Sequence, residues 1–264
     1  MSVPTRPAAS SLRSRDEDGG YRVPVPSRQP PEQQAPPVQR LRIRYAKRGR
    51  LRFTSHRDFS RAFERAVVRA RLPMAYSSGF NPHPRISYAG AAPTGAASEA
   101  EYLEIGLARV CDPEDVRREL AEALPDGLDV VEVVDAATGG SGSLADRLVA
   151  SRWTVVVAAP AEEVVSAVDA FLAVESVPVE RMTKKGLRTF DCRQAVVAMS
   201  AAPHEVGALL DMTLRHTVPA VRPDDVLTGL GEVTGLQPSA PPLVSRLRQG
   251  PLDDATGEVG DPLA

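Results

Sequence analysis

The sequence predicts an α+β fold, and three observations carry that prediction. Short period-two stretches alternate along the chain with segments of period 3.6, rather than strands and helices alternating one for one. Hydrophobic residues make up 42% of the 264 residues and charged residues 25%, the balance of a chain with a proper core. Two Pro, Gly and Ser-rich stretches flank the patterned region, and one more divides it near its middle.

Residues 1–37 are rich in Pro, Ser, Gln and charge, so they cannot bury enough apolar surface to offset their ordering entropy; a disordered tail is expected there. Leu41, Ile43 and Tyr45 then alternate with Arg40, Arg42 and Arg44, a strand with one apolar and one cationic face. KRGR reads as a turn and LRFT as a second short extended piece. Ser55 is the N-cap of a helix to about Arg71, whose inner face carries Phe59, Ala62, Phe63, Ala66, Val67 and Ala70. Strands follow at Arg85–Ala89 and Glu101–Leu107. A helix from Pro113 to about Leu124 is capped by Asp112, and Leu128–Val134 is the next strand. The order β-α-β-β-α-β is that of a ferredoxin-like module, predicted over 38–135.

Residues 136–142, AATGGSG, read as a linker. A second α+β module is expected over 143–248. It begins with a short helix near Leu144–Val149, a strand at Trp153–Ala158 and a helix at Ala161–Ala173. Strands at Val177–Met182, Leu187–Cys192 and Leu209–His216 come next, then a helix at Pro223–Leu230 and a strand at Leu243–Leu247. Lys184, Lys185 and Gly186 make a hairpin turn. The fold class is thus two ferredoxin-like (βαββαβ-type) modules in tandem, with a disordered acidic tail over 249–264.

The composition also narrows function. No apolar run approaches the ~20 residues of a membrane span, and the N-terminus lacks a secretory h-region, which points to the cytoplasm and away from membranes. Cys111 and Cys192 form no CxxC pairing, which argues against a disulfide framework or a cysteine metal site. The net charge of −2 conceals twelve Lys or Arg between Val38 and Arg71 against Asp58 and Glu64 alone. Charge segregated in this way attracts polyanions. Arg69 completes a stripe at steps of four on the first helix with Arg57, Arg61 and Arg65, like charges that repel unless something compensates them, and the last three are singled out. With Arg42 and Arg44 they are the candidate nucleic-acid contacts, arginine being suited to bidentate phosphate recognition. Only Tyr102 is expected to point outward on the open sheet face, so the aromatic stacking signature is absent and RNA binding would rest on charge and shape.

The stretch from Tyr76 to Ser87 has two X-Pro steps and Gly79, a stiff loop presenting Phe80, Asn81 and His83. His56 stands at the mouth of the first helix and is, with His83, a candidate base for RNA cleavage. Ser55, His56 and Asp58 are too close in sequence to form a nucleophilic triad. His56, Asp58 and His83 match no metal-ligand spacing, so neither a metal nor a cofactor is expected.

RFTSHRD (52–58) and YSSGFNPHPRISYAGAAPTGAASEAEYLEI (76–105) resemble the signature of a bacterial family of uncharacterised radical-SAM-linked proteins. The resemblance spans roughly Val38 to Arg246 and is densest between Arg52 and Leu107. Such proteins stand alone or follow a B12-binding radical-SAM domain, and are often encoded near a ribonuclease of the E/G type. The resemblance implies that Ser55, His56, Asp58, Ser77, Gly79, Phe80, Asn81, His83, Pro84, Gly95, Ser98 and Glu101 are signature positions, and that a radical-SAM protein is a partner. The chain has no CxxxCxxC cluster motif, so the implied role is that of an accessory. The sequence expectation is a non-catalytic, RNA-associated accessory module. A metal-independent endoribonuclease using a histidine base, and a protein–protein adaptor, are the alternatives.

Overall fold

The computed structural model describes residues 33–138, 142–183 and 186–264. In its first half, β1 (Gln39–Lys47) leads through a 3₁₀ turn at Gly49–Phe53 to α1 (His56–Arg69). Then come β2 (Ile86–Ala89), β3 (Ala97–Leu107), α2 (Pro113–Ala123) and β4 (Leu128–Asp135). The second half runs α3 (Leu144–Arg147), β5 (Ala150–Val157), α4 (Ala161–Ala173) and the hairpin β6 (Pro178–Thr183) and β7 (Gly186–Asp191). It closes with β8 (Val196–His204), β9 (Gly207–Arg215), α5 (Pro223–Thr234) and β10 (Leu243–Gly250). The turn residues Lys184 and Lys185 lie outside the described residues. The LRFT stretch, expected to be extended, is wound into the 3₁₀ turn, and β8 went unrecognised in the sequence.

Local chemistry explains the helix boundaries. The Ser55 side chain accepts from the Asp58 backbone N–H at 3.2 Å and starts α1, and Arg71, at φ 52°, ends it. Asp112 accepts from the Glu114 N–H at 2.8 Å, with Pro113 in the first turn of α2, where its missing donor costs nothing. Phe59, Phe63, Ala66 and Val67 of α1, with Val116 and Leu120 of α2, cover Leu41, Ile43, Leu103 and Ile105 on one sheet face.

The sheet is where sequence and structure part. A single eight-stranded sheet has the order β4-β1-β3-β10-β5-β9-β8, with β2 paired to β3. Within it, β4-β1-β3-β2 is antiparallel throughout, and so is β10-β5-β9-β8. Each half therefore places its strands fourth, first, third, second, with β6–β7 a separate two-stranded insertion in the second half. The halves join because β10 pairs in parallel with β3, at Ser245↔Ala97 and Arg246↔Ser98. The 136–142 stretch thus separates no independent sheets. Its centre, 139–141, lies outside the described residues, but the Ala136 N–H donates to the Arg40 carbonyl at 2.9 Å.

The tails need a correction at one end. Residues 1–32 lie outside the described residues. At the other end, 249–264 is packed rather than disordered: Val259 and Leu263 are buried, and Leu252 bridges Val259. Arg147 donates to the carbonyls of Pro262 and Ala264. Leu263 joins Leu144, Leu148 and Tyr102 in a cluster on the sheet face opposite α1 and α2. A few apolar residues in a polar stretch, Val259, Pro262 and Leu263, suffice here because they are buried against the rest of the fold.

His216 anchors the end of β9 within the second half. Its Nδ1 lies 2.6 Å from the Leu148 carbonyl and its Nε2 3.1 Å from Ser151 Oγ, which in turn accepts from Trp153 Nε1 at 2.7 Å. That chain fits a neutral ring donating from Nδ1 and accepting at Nε2. Burial holds its basicity below the usual value; the Leu148 carbonyl opposes this and the Arg246 charge adds to it. The unfolded chain therefore takes up the proton more readily, so stability is full above about pH 6.5 and falls as the pH drops below it. Urea unfolding at pH 7.5 and pH 5.5 is expected to show this loss, and His216→Asn to reduce the difference.

Candidate functional site

The twelve cations of 38–71 divide into two groups with different fates. Arg40, Arg42 and Arg44 lie on the β1 face turned away from α1, and neighbouring strands answer them with carboxylates. Arg40 and Arg42 reach Glu104 of β3 at 2.9 and 3.4 Å, and Arg44 reaches Glu132 of β4 at 3.2 Å. Register makes these pairs, since Arg42 stands opposite Glu104 and Arg44 opposite Glu132. Arg48 is held by Glu99 and Asp129, and Lys47 is buried with its ammonium against the Pro93 carbonyl at 3.5 Å. Burial lowers the basicity of Lys47, with nearby Glu101 opposing it. Arg42 and Arg44 therefore do not share a patch with α1, as the sequence suggested; they are on the other side of the sheet and are paired.

The helix group is different. Arg57, Arg61 and Arg65 are exposed, and among the described residues none is within 4 Å of a carboxylate. The same is true of Arg50, Arg69 and Arg71, although Arg69 donates to the Ala123 carbonyl at 3.2 Å, and the partly buried Arg52 likewise has no carboxylate within 4 Å among the described residues. Arg57 to Arg65 spans about 12 Å of helix axis, one continuous ridge. At its N-terminal end Phe53 is 59% exposed, with the Arg52 guanidinium 4.7 Å from its ring centroid. The sequence reading overlooked Phe53, for which its place directly after Arg50 and Arg52 was the available signal. Tyr102, the one aromatic expected to point outward on the sheet, is buried under Leu144, Leu148 and Leu263 and offers no open face.

The signature positions are dispersed rather than gathered into one pocket. Ser55 and Asp58 serve the α1 cap: Ser55 Oγ donates to Asp58 Oδ2 at 2.7 Å while accepting from its N–H. The exposed His56 ring stands edge-on to Tyr88, with centroids 5.0 Å apart. Tyr88 in turn meets Phe59, and burial pushes its phenol up to about 12. The 76–85 loop leaves the opposite end of β2. Ser77 is locked to His83 twice, by its own N–H to the His83 carbonyl at 2.8 Å and by accepting the His83 N–H at 3.0 Å. Arg85 ties back to the Tyr76 carbonyl at 3.0 Å, and Gly79 takes φ 131°, which other residues rarely adopt. The tip is left outward, with Phe80 62% exposed and Asn81 and His83 exposed. Among the described residues no hydrogen bond, ion pair or ring contact joins His56 to His83.

Glu101 belongs elsewhere altogether. It is buried in an ion pair with Arg246 of β10 and accepts from the Ala92 N–H at 3.2 Å. Arg246 also donates to the Gly90 carbonyl, Gln249 and Ser98 and lies 5.3 Å from the Trp153 ring centroid. This cluster bolts the two halves together at the β3–β10 seam. No sequence signal pointed to Arg246, whose partner is 145 residues away. Among the described residues no group of three or more His, Cys, Asp or Glu side chains could hold a metal ion. No helix among them is long and apolar enough to cross a membrane.

Comparison with known proteins adds a family and little else. A family model described as "uncharacterized protein conserved in bacteria (DUF2344)" matches residues 40–223. No curated protein matches. Among solved structures, a chain of a Cbf5-Nop10-Gar1 complex is 9% identical with a TM-score of 0.44, covering 85% of this chain and 56% of that one. A dyp-type peroxidase protein from Shewanella oneidensis is 10% identical with a TM-score of 0.21, covering 79% of this chain and 89% of that one. The chain thus spans little more than half the length of the first, and neither likeness carries an argument about function.

Proposed function

The chain belongs to this bacterial family (DUF2344), and from that premise we propose that it is a non-catalytic, RNA-associated accessory module whose α1 ridge grips phosphates. One observation carries the reading: Arg57, Arg61 and Arg65 form a row of exposed guanidinium groups with no carboxylate within 4 Å among the described residues, Glu64 standing beside Arg61 and Arg65 without pairing to either. A helix that keeps like charges at steps of four without compensation sacrifices stability, and a polyanion restores it. Phe53 beside Arg52 supplies a face on which an unpaired base can stack, which favours single-stranded RNA.

Each half of the sheet, with its strands in fourth, first, third, second order, is read as one ferredoxin-like module. SHRD and GFNPHP support a place beside a radical-SAM partner in the cytoplasm. The rigid, outward GFNPHP tip is then the element that meets that protein. This division leaves RNA to α1 and the partner to the loop.

Filter binding of cellular RNA is the test. Three phosphate contacts on a single strand give a slope of about −2 in log affinity against log salt, roughly a twentyfold loss from 50 to 200 mM salt. Salt-insensitive binding, or none, ends the RNA reading. A partner that is still recovered by pulldown after nuclease treatment would then favour a protein adaptor.

A further inference from the structure

We propose that a cavity on the sheet face opposite α1 is a binding site for a small organic carboxylate. The cavity holds about 760 Å³, within the size range of small-molecule sites. Arg40, Arg42 and Glu104 line it together with Ser87, Ala89 and Leu144. The proposal does not rest on the RNA reading, which concerns the other face.

Arg42 is the observation that points to a ligand. Its side chain is 5% exposed, and it spends Nε on Glu104 and Nη2 on the Gly142 carbonyl at 2.9 Å. Nη1 is buried without any acceptor. A desolvated cationic N–H left unpaired is costly, and proteins rarely keep one without a use. An apolar residue at position 42 would seal this face at no such cost, as Ile43 and Leu41 do on the other.

The walls choose among anions. Arg40 and Arg42 share Glu104, and Asp135, which accepts from Gln39, also lines the cavity. A dianionic phosphate would be repelled by those two carboxylates, whereas a single carboxylate brings one charge to the unpaired Nη1 of Arg42. Ala89 and Leu144 offer an apolar wall for the organic body, so a flat acid is preferred to inorganic anions.

Calorimetric titration of the full chain with benzoate, phenyl phosphate and benzamide tests this. Benzoate is expected to bind at least about tenfold more tightly than either analogue. Arg42→Gln should abolish that preference. Ser87→Trp, which leaves Arg42 intact and fills the cavity from β2, should block benzoate without unfolding the chain, as circular dichroism can verify. Arg61→Glu, on the other face, should leave benzoate binding unchanged. Failure of benzoate to bind at millimolar concentration, tighter binding of phenyl phosphate, or binding that survives Ser87→Trp would each overturn the assignment.

Discussion

Arg246→Ala is expected to cost the fold roughly 3–5 kcal/mol, because it strands a buried carboxylate rather than merely deleting a contact. Arg246 and Glu101 have side chains 3% and 2% exposed, so water cannot replace the missing partner. Glu101 would retain only the Ala92 N–H, and the Gly90 carbonyl and Gln249 would lose their donor as well. Urea unfolding monitored at Trp153, whose ring lies beside Arg246, reads the loss directly. The double change Glu101→Leu with Arg246→Met is expected to be milder, since it removes both members of the pair and leaves only Lys47, which keeps the Pro93 carbonyl, without its nearby carboxylate. A single-variant loss under about 1 kcal/mol would mean that the β3–β10 seam is held by something other than this pair.

Reversal of the ridge, with Arg57, Arg61 and Arg65 all changed to Glu, should weaken RNA binding at least about a hundredfold, near 2.7 kcal/mol, and flatten its salt dependence. The fold should hardly notice. All three side chains are exposed and unpaired, and a Glu at position 57 lies in the first turn, where the helix dipole favours it. The comparison that gives the result meaning is Arg117→Glu with Arg118→Glu. Those arginines lie on α2, Arg118 exposed and Arg117 partly buried, and are already engaged by Asp115 and Glu114 at 2.6 Å. If both reversals weaken binding alike, the effect is overall charge and not a ridge. RNA affinity intact after the α1 reversal would remove the proposal.

Much of the local structure was legible in the chain. Ser55 with Asp58, and Asp112 with Pro113, mark helix starts by chemistry confined to four residues. The alternation of Leu41, Ile43 and Tyr45 with arginines fixed which strand face meets the helices, because the period of a strand leaves no other choice. By the same logic the spacing of Arg57, Arg61 and Arg65 placed them on one exposed stripe.

What the sequence could not determine was set by partners distant along the chain. Whether Arg42 and Arg44 are free or neutralised depends on the register that puts Glu104 and Glu132 opposite them. Whether Glu101 is a site residue or a seam residue depends on β10 returning between β3 and β5, a pairing with β3 of only two positions that leaves no local pattern. Val259 and Leu263 looked too sparse to order a tail until the rest of the fold closed against them. Periodicity and capping are written within a few residues and survive reading one at a time; charge compensation and burial are properties of pairs, and only the closed sheet decides which pairs meet.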